Sequence, residues 1–138
     1  MKNKTPLVLM EQLMMILVFA LAAALCLQAF IKADQISRET EQRTQAAALA
    51  QTAAETLKAC GGDVGNAAHI LGGEITTGEW QICFDQNGVP LTESDSYAFL
   101  LEVTEVTSPA ADLRCAEVCV SAGDGGSLVT LQVVWRAA

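Results

Sequence analysis

The sequence predicts an α+β fold, in which a long N-terminal helix spans a membrane with its first half and packs by its outer half on a small antiparallel β-sheet. Two observations predict it. Residues 7–60 contain no Gly or Pro and form one continuous run of helix-compatible residues, apolar at first and polar from residue 32. Beyond residue 61, β-branched and aromatic residues collect in short stretches that are separated by glycine-rich turns.

The N-terminal segment joins a basic leader to a long apolar stretch. Residues 1–6 carry two lysines, and residues 7–31 contain one charged side chain, that of Glu11. A helix of about 20 apolar residues is long enough to cross a bilayer. The leader favours a cytoplasmic N-terminus, because basic residues tend to stay on that side of the membrane. We therefore expect a single-pass protein of the cell membrane with an extracytoplasmic head.

Residues 32–60 are expected to continue this helix outside the membrane. Apolar residues recur there every three or four positions, at Ala46, Ala50, Ala53, Leu57 and Cys60. This spacing places them on one face of the helix, which suits packing against a sheet. Gly61 and Gly62 are expected to end the helix, because glycine readily adopts the left-handed conformation found at helix ends.

Residues 61–138 are expected to form a globular β-rich head. A short helix is predicted after Asp63, a good N-cap residue, and it should end at Gly72 and Gly73. Strands are predicted over residues 80–84, 97–106, 113–121 and 128–135. Asn87-Gly88 and the glycine-rich residues 123–126 suit hairpin turns, so the strands should form an antiparallel meander.

The predicted sheet has one apolar face. Alternate residues of the second and last strands form it, namely Phe99, Leu101, Val103, Val129, Leu131, Val133 and Trp135. Antiparallel sheets commonly bury one face and expose the other. The outer half of the long helix is the expected cover.

The formal net charge of −8 is concentrated on the head. After Arg43, three basic residues face twelve acidic ones, which leaves about −9 on this part of the chain. Such a surface repels phosphate backbones, so we do not expect the head to bind nucleic acid.

Four cysteines lie beyond the apolar stretch, at Cys60, Cys83, Cys115 and Cys119. In an extracytoplasmic head they are candidates for disulfides, and three pairings are open. Cys115 and Cys119 are too far apart on one strand to bond to each other, and each can remain a small buried thiol.

The sequence also lacks the patterns of metal and catalytic sites. There is no C-x-x-C pair and only one histidine, so a metal site is not expected. Neither a nucleophile elbow nor a glycine-rich phosphate loop is present, and we expect neither an enzyme nor a cofactor.

Glu11 needs a partner that its sequence neighbours do not supply. A carboxylate in apolar surroundings requires a cation, an exposed amine, or water at the level of the lipid headgroups. One interpretation is that Glu11 simply lies at that level, about one turn inside the membrane edge. The other is that it pairs with a charge on another chain.

Residues 7–18, LVLMEQLMMILV, together with the long helix and the sheet, resemble the type IV pilin and pseudopilin superfamily. The resemblance implies a structural subunit, minor pilin-like or pseudopilin-like, of a type IV pilus, competence or type II secretion-like filament. Such subunits assemble by packing their N-terminal helices. The implied partners are other pilin-like subunits, the membrane, a prepilin peptidase and an assembly platform.

The resemblance also implies roles for particular residues. Glu11 matches the acid at position five of the mature chain, which in the family pairs with the N-terminal amine of a neighbouring subunit. The peptidase junction would then lie between Pro6 and Leu7, and Pro6 occupies a position where the family usually has Gly. This departure supports an alternative, an uncleaved single-span membrane protein with an extracytoplasmic binding head. A cleaved secretory protein with a soluble head is a third alternative.

Overall fold

The computed structural model describes residues 4–92, 96–108 and 110–137. These ranges contain α1 (Thr5–Ala59), α2 (Val64–Leu71), β1 (Glu74–Thr76), β2 (Glu79–Phe84), β3 (Pro90–Leu91), β4 (Phe99–Val106), β5 (Leu113–Ala122) and β6 (Ser127–Arg136). The chain divides into two compact units, Met1–Thr40 and Glu41–Ala138. The predicted fold class is confirmed, because a long N-terminal helix precedes an antiparallel sheet that packs against it.

α1 is one helix of 55 residues, and its end is set by two glycines. The N–H of Gly62 donates to the carbonyl of Leu57 at 2.9 Å. The N–H of Gly61 donates to the carbonyl of Lys58 at 3.0 Å. These two bonds form a Schellman motif, in which Gly61 is the left-handed residue with a φ of 65°. Gly62, the next residue, also has a positive φ, of 84°. The predicted glycine stop is confirmed.

α2 begins at the predicted cap. The carboxylate of Asp63 accepts hydrogen bonds from the backbone N–H groups of Gly65 and Asn66, at 2.9 and 3.3 Å. These N–H groups have no partner inside the helix, so the cap satisfies them. After α2, the carbonyl of Gly72 accepts a bond of 2.9 Å from the indole N–H of Trp80, which ties the end of the helix to β2.

The sheet is antiparallel, with the order β1-β2-β4-β5-β6, and β3 pairs with β2. Both predicted turns are confirmed. The N–H of Gly88 donates to the carbonyl of Asp85 at 3.1 Å after β2. The N–H of Ala122 donates to the carbonyl of Gly126 at 2.8 Å between β5 and β6. The short strands β1 and β3 were not predicted.

The core of the second unit lies between the last part of α1 and one face of the sheet. The helix contributes Ala46, Ala50, Ala53 and Leu57, each at most 1% exposed. The sheet contributes Trp80, Ile82, Phe84, Phe99, Leu101, Val103, Ala116, Val118, Val120, Val133 and Trp135. The predicted helix stripe is therefore confirmed. The predicted apolar sheet face is confirmed except at Leu131, which is 36% exposed although Val133 and Trp135 of the same strand are buried.

We expect Gly62→Ala to destabilise the head more than Gly61→Ala. Both positions have a positive φ, which costs a residue with a β-carbon about 1–2 kcal/mol. A β-carbon at Gly62 would also overlap the indole of Trp135, whereas one at Gly61 meets nothing within 4 Å. Chemical denaturation of the full chain in detergent should show a loss of at least about 3 kcal/mol for Gly62→Ala. Equal losses for the two variants would contradict this packing.

Candidate functional site

The surface that most needs an explanation is the apolar part of α1 in the first unit. Its large side chains are exposed around the helix, with exposed fractions of 74% for Leu7, 78% for Phe19 and 76% for Phe30. No described residue of this unit is buried. A helix that is apolar on all sides normally lies in a large core or in a membrane. The exposed surface of this segment therefore resembles that of a helix which contacts lipid or other chains.

Length and composition make α1 a candidate membrane span. Its most apolar window has a mean hydropathy of 2.5, and none of that window is buried. It is the one helix of the described residues that meets these criteria. The N-terminal helix that the sequence predicts as a membrane span thus corresponds to α1, which is long and apolar enough to be a candidate span.

Glu11 lies on this apolar surface without a counterion. The residues three and four positions away, which are its neighbours on the helix surface, are all apolar: Leu7, Val8, Met14 and Met15. Among the described residues, ion pairs join Arg38 to Asp34 at 3.1 Å and Arg114 to Glu105 at 3.5 Å, and none involves Glu11. The described residues therefore offer no neutralising partner for this carboxylate.

The predicted junction between Pro6 and Leu7 lies inside the first turn of α1. The N–H of Val8 donates to the carbonyl of Lys4 at 3.2 Å, which closes a helical turn around Pro6. Proline is tolerated there because the first N–H groups of a helix have no intrahelical partner. The helix thus begins two residues before the predicted start at Leu7, and the junction is held in helical conformation.

All five cysteines lie within the described ranges, and all five are free thiols. Cys83 and Cys119 alternate with buried residues and so occupy the outer face of the sheet. Cys115 lies four residues before Cys119 on the same face of its strand, but its side chain is buried. Cys83 and Cys119 lie two strands and two residues apart, which is about 12 Å. Cys60 packs against the core instead. A disulfide between Cys83 and Cys119 would need Cα atoms within about 7 Å, so the register keeps these thiols apart.

Cys83 is the cysteine whose chemistry is most altered by its surroundings. Burial raises the pKa of the Cys83 thiol, and the negative charge of Glu74 raises it further. A raised pKa leaves less thiolate at neutral pH, and the thiolate is the reactive form. Cys83 is therefore held as a weakly nucleophilic thiol.

No group of three or more His, Cys, Asp or Glu side chains in the described part of the chain is arranged to hold a metal ion.

Comparison of the chain with protein-family models, curated proteins and solved structures finds no match. Two surfaces of the described chain are left uncovered: the apolar part of α1, which carries Glu11 near its N-terminal end, and the outer edge of β6, which the sequence did not predict.

We expect Glu74→Gln to increase the alkylation rate of Cys83 about twofold to threefold at pH 8, because removing a nearby negative charge lowers the pKa of the thiol. Iodoacetamide labelling of the full chain, followed by peptide mass spectrometry, reports Cys83 separately from the other thiols. Glu79→Gln is the matched control. Glu79 is an exposed acid on β2, the strand of Cys83, and its charge is not among the causes of the raised pKa of Cys83. An equal acceleration in both variants would contradict the assignment to Glu74.

Proposed function

We propose that this protein is a structural subunit, minor pilin-like or pseudopilin-like, of a type IV pilus, competence or type II secretion-like filament. The observation that carries the proposal is the lone carboxylate of Glu11 on an exposed, otherwise apolar helix surface. Such a carboxylate is strongly disfavoured in an apolar environment unless a cation neutralises it. The N-terminal amine of a neighbouring subunit, freed by cleavage before Leu7, supplies that cation.

The ion pair explains why assembly has a defined geometry. When a helix leaves the bilayer and joins a bundle of like helices, it exchanges lipid tails for apolar side chains, so the hydrophobic effect favours neither state strongly. The amine of one subunit neutralises Glu11 of its neighbour at one axial offset between the two helices. Glu11 thereby sets the stagger of the subunits, and the surrounding apolar side chains provide the packing.

The proposed topology follows from the same segment. Residues 7–31 cross the membrane, Lys4 and the preceding leader lie on the cytoplasmic side, and the head lies outside the cytoplasm. The partners in this proposal are other pilin-like subunits, a prepilin peptidase and an assembly platform. The acidic head is left free to face solvent, which suits a surface with about −9 net charge.

We expect Glu11→Gln to insert in the membrane normally and to be incorporated into filaments at least about a hundredfold less than the wild type. The reason is that the amine of the neighbour would be buried without its counterion, which costs about 3–5 kcal/mol. Quantitative immunoblotting of sheared filaments and of membranes measures the two pools. Glu41→Gln removes an exposed acid from the polar part of the same helix and should behave as the wild type. Normal incorporation of Glu11→Gln would refute the role of Glu11.

Processing at the junction distinguishes the proposal from its main alternative. After co-expression with a prepilin peptidase, intact mass and N-terminal sequencing should show a chain that begins at Leu7. We expect Pro6→Gly to be cleaved faster than Pro6→Ala, because glycine opens the first helical turn more readily than alanine. A catalytically inactive peptidase is the control for unrelated cleavage.

The helical conformation of Pro6 favours the second candidate function, an uncleaved single-span membrane protein with an extracytoplasmic binding head. In that protein no amine is released at Leu7, and Glu11 stays at the headgroup level, where water solvates it. Chains that retain Met1 in the wild type and in Pro6→Gly alike would favour this candidate. They would exclude the ion pair with a freed amine.

A further inference from the structure

The two edges of the sheet differ in how they can meet another chain. One edge consists of β1 and β3, which are three and two residues long and include Glu74 and Pro90. The other edge is β6, a strand of ten residues that pairs with β5 alone among the described strands. Short strands, charges and prolines keep an edge from pairing with another chain. Residues 127–135 of β6 contain neither a charge nor a proline, so β6 is the edge that can accept a strand.

The backbone groups that β6 offers follow from its register with β5. The N–H of Ala137 donates to the carbonyl of Asp112 at 2.9 Å, so Ala137 points its N–H toward the side of β5. Hydrogen-bonding direction alternates along an antiparallel strand. Thr130, Gln132 and Val134 therefore point their N–H and carbonyl groups away from β5, at the open edge.

Side chains on both faces of β6 lack cover at this edge. On the helix side of the sheet, Leu131 is 36% exposed although it lies opposite the fully buried Val118. On the outer side, Val134 is 46% exposed opposite the buried Cys115. An added strand would lie beside β6 on both faces. It would therefore contact these side chains while its backbone bonds to the free groups.

The direction of α1 excludes antiparallel pairing with β6 of a second copy. Within the second unit, α1 runs along the sheet from Gln45, whose side-chain amide donates to the carbonyl of Gln86 at 2.8 Å, to its end near Gly62 and Trp135. Antiparallel pairing of β6 with β6 turns one copy end for end, so the two α1 helices would run in opposite directions. Chains that are anchored in one membrane by residues 7–31 leave it in the same direction. The exclusion rests on the membrane anchor, which both candidate functions include.

The faces of the sheet exclude parallel pairing of two copies around a two-fold axis. An axis along the strands would keep the direction of α1 but would exchange the two faces of the sheet. Side chains opposite each other in a parallel pair lie on the same face, so β6 cannot form this symmetric pair. The other edge of a second copy would present Glu74, Pro90 and strands of three and two residues, which resist pairing. The occupant that remains is a different chain.

We propose that β6 binds an extended segment of a different protein, which adds an antiparallel strand at this edge. Antiparallel pairs are slightly more stable per residue than parallel ones. Main-chain hydrogen bonds supply the affinity, and alternate side chains supply the specificity. Segment residues opposite Thr130, Gln132 and Val134 lie on the outer face of the sheet. Those opposite Leu131 and Val133 lie on the helix side, where apolar side chains are favoured.

Charges at the two ends of β6 specify how the segment runs. Arg136 lies at the end of the strand and Asp124 lies in the turn before it, and neither forms an ion pair among the described residues. An antiparallel segment starts beside Arg136 and ends toward Asp124. An acidic residue at its start and a basic residue at its end are therefore favoured. Residues 127–135 offer no counterion to a charge in the middle of the segment.

A synthetic peptide tests the edge on the full chain in detergent. The peptide begins with glutamate, alternates threonine and valine, and ends with lysine, and its threonines lie opposite Thr130, Gln132 and Val134. Fluorescence anisotropy of the labelled peptide measures its affinity. N-methylation of the threonines should weaken binding at least about tenfold, because it blocks the N–H groups that face β6. N-methylation of the valines, whose N–H groups point away, is the matched control and should leave the affinity within about twofold.

The absence of saturable binding, or equal weakening by the two N-methylated peptides, would overturn the proposal. Exchanging the glutamate and the lysine of the peptide should weaken binding at low salt, because like charges would then meet at both ends. Tighter binding of the exchanged peptide would overturn the antiparallel direction.

A variant of the protein tests the same edge. Gln132→Pro removes an outward N–H and none that bonds to β5, and proline is tolerated at such positions of edge strands. It should bind the peptide at least about tenfold more weakly than Gln132→Thr, which keeps the N–H. Glu11→Gln should bind the peptide as the wild type does, so this test and the test of filament assembly can fail separately. Equal affinities of the two Gln132 variants would overturn the proposal, as would a complex of two copies that forms without peptide and is lost in Gln132→Pro.

Discussion

The packing of α1 on the sheet depends on four small or medium side chains, Ala46, Ala50, Ala53 and Leu57. Three of them are alanines, so the large side chains of this core come mainly from the sheet, among them Trp80, Phe84 and Phe99. The indole of Trp135 lies against Gly62, just after the end of the helix, where a β-carbon would overlap it. The end of α1 and the packing of the last strand are therefore linked at this glycine.

The same helix has a different pattern in each unit, and the difference is physical. In the second unit α1 is amphipathic, because one face is buried on the sheet and the other faces solvent. Over residues 7–31, in the first unit, no such face exists, and apolar side chains surround the helix. One continuous helix thus joins a part that is apolar on all sides to a part that is amphipathic. Glu11 is the one charged side chain of the apolar stretch, and no described residue forms an ion pair with it.

Local signals explain what could be predicted from the sequence. Three predicted features depend on chemistry within a few residues, and each is present in the structure. They are the cap at Asp63, the stop at Gly61 and Gly62, and the turn at Gly88. β1 and β3 were missed because strands of three and two residues are too short to show an alternating pattern. Thr77 also lies in a turn and has a φ of 56°, a conformation that threonine rarely adopts, so its residue type does not predict this turn.

The exposure of Leu131 was missed for a different reason. Alternation correctly assigned it to the core face of its strand, but alternation does not specify how much of that face other elements cover. That cover depends on contacts between residues that are distant in sequence. Glu11 is comparable, because no residue near it in sequence neutralises its carboxylate and no described residue elsewhere does so. A pattern within one segment thus identifies a face or a charge, whereas its surroundings depend on other parts of the structure.

The two surfaces left without partners use two kinds of force, and they differ in what they can specify. Burial of apolar side chains is nondirectional, so the many exposed leucines and methionines of residues 7–31 can pack against lipid or protein in many offsets. Charge pairing and backbone hydrogen bonding are directional, and each is satisfied at only a few offsets. In the proposed assembly Glu11 provides the charge pair on the apolar helix, and the outer edge of β6, which no described strand pairs, offers backbone groups for hydrogen bonding. A chain that needs a defined arrangement with its neighbours must obtain it from these few groups, because the larger apolar surface cannot distinguish one arrangement from another.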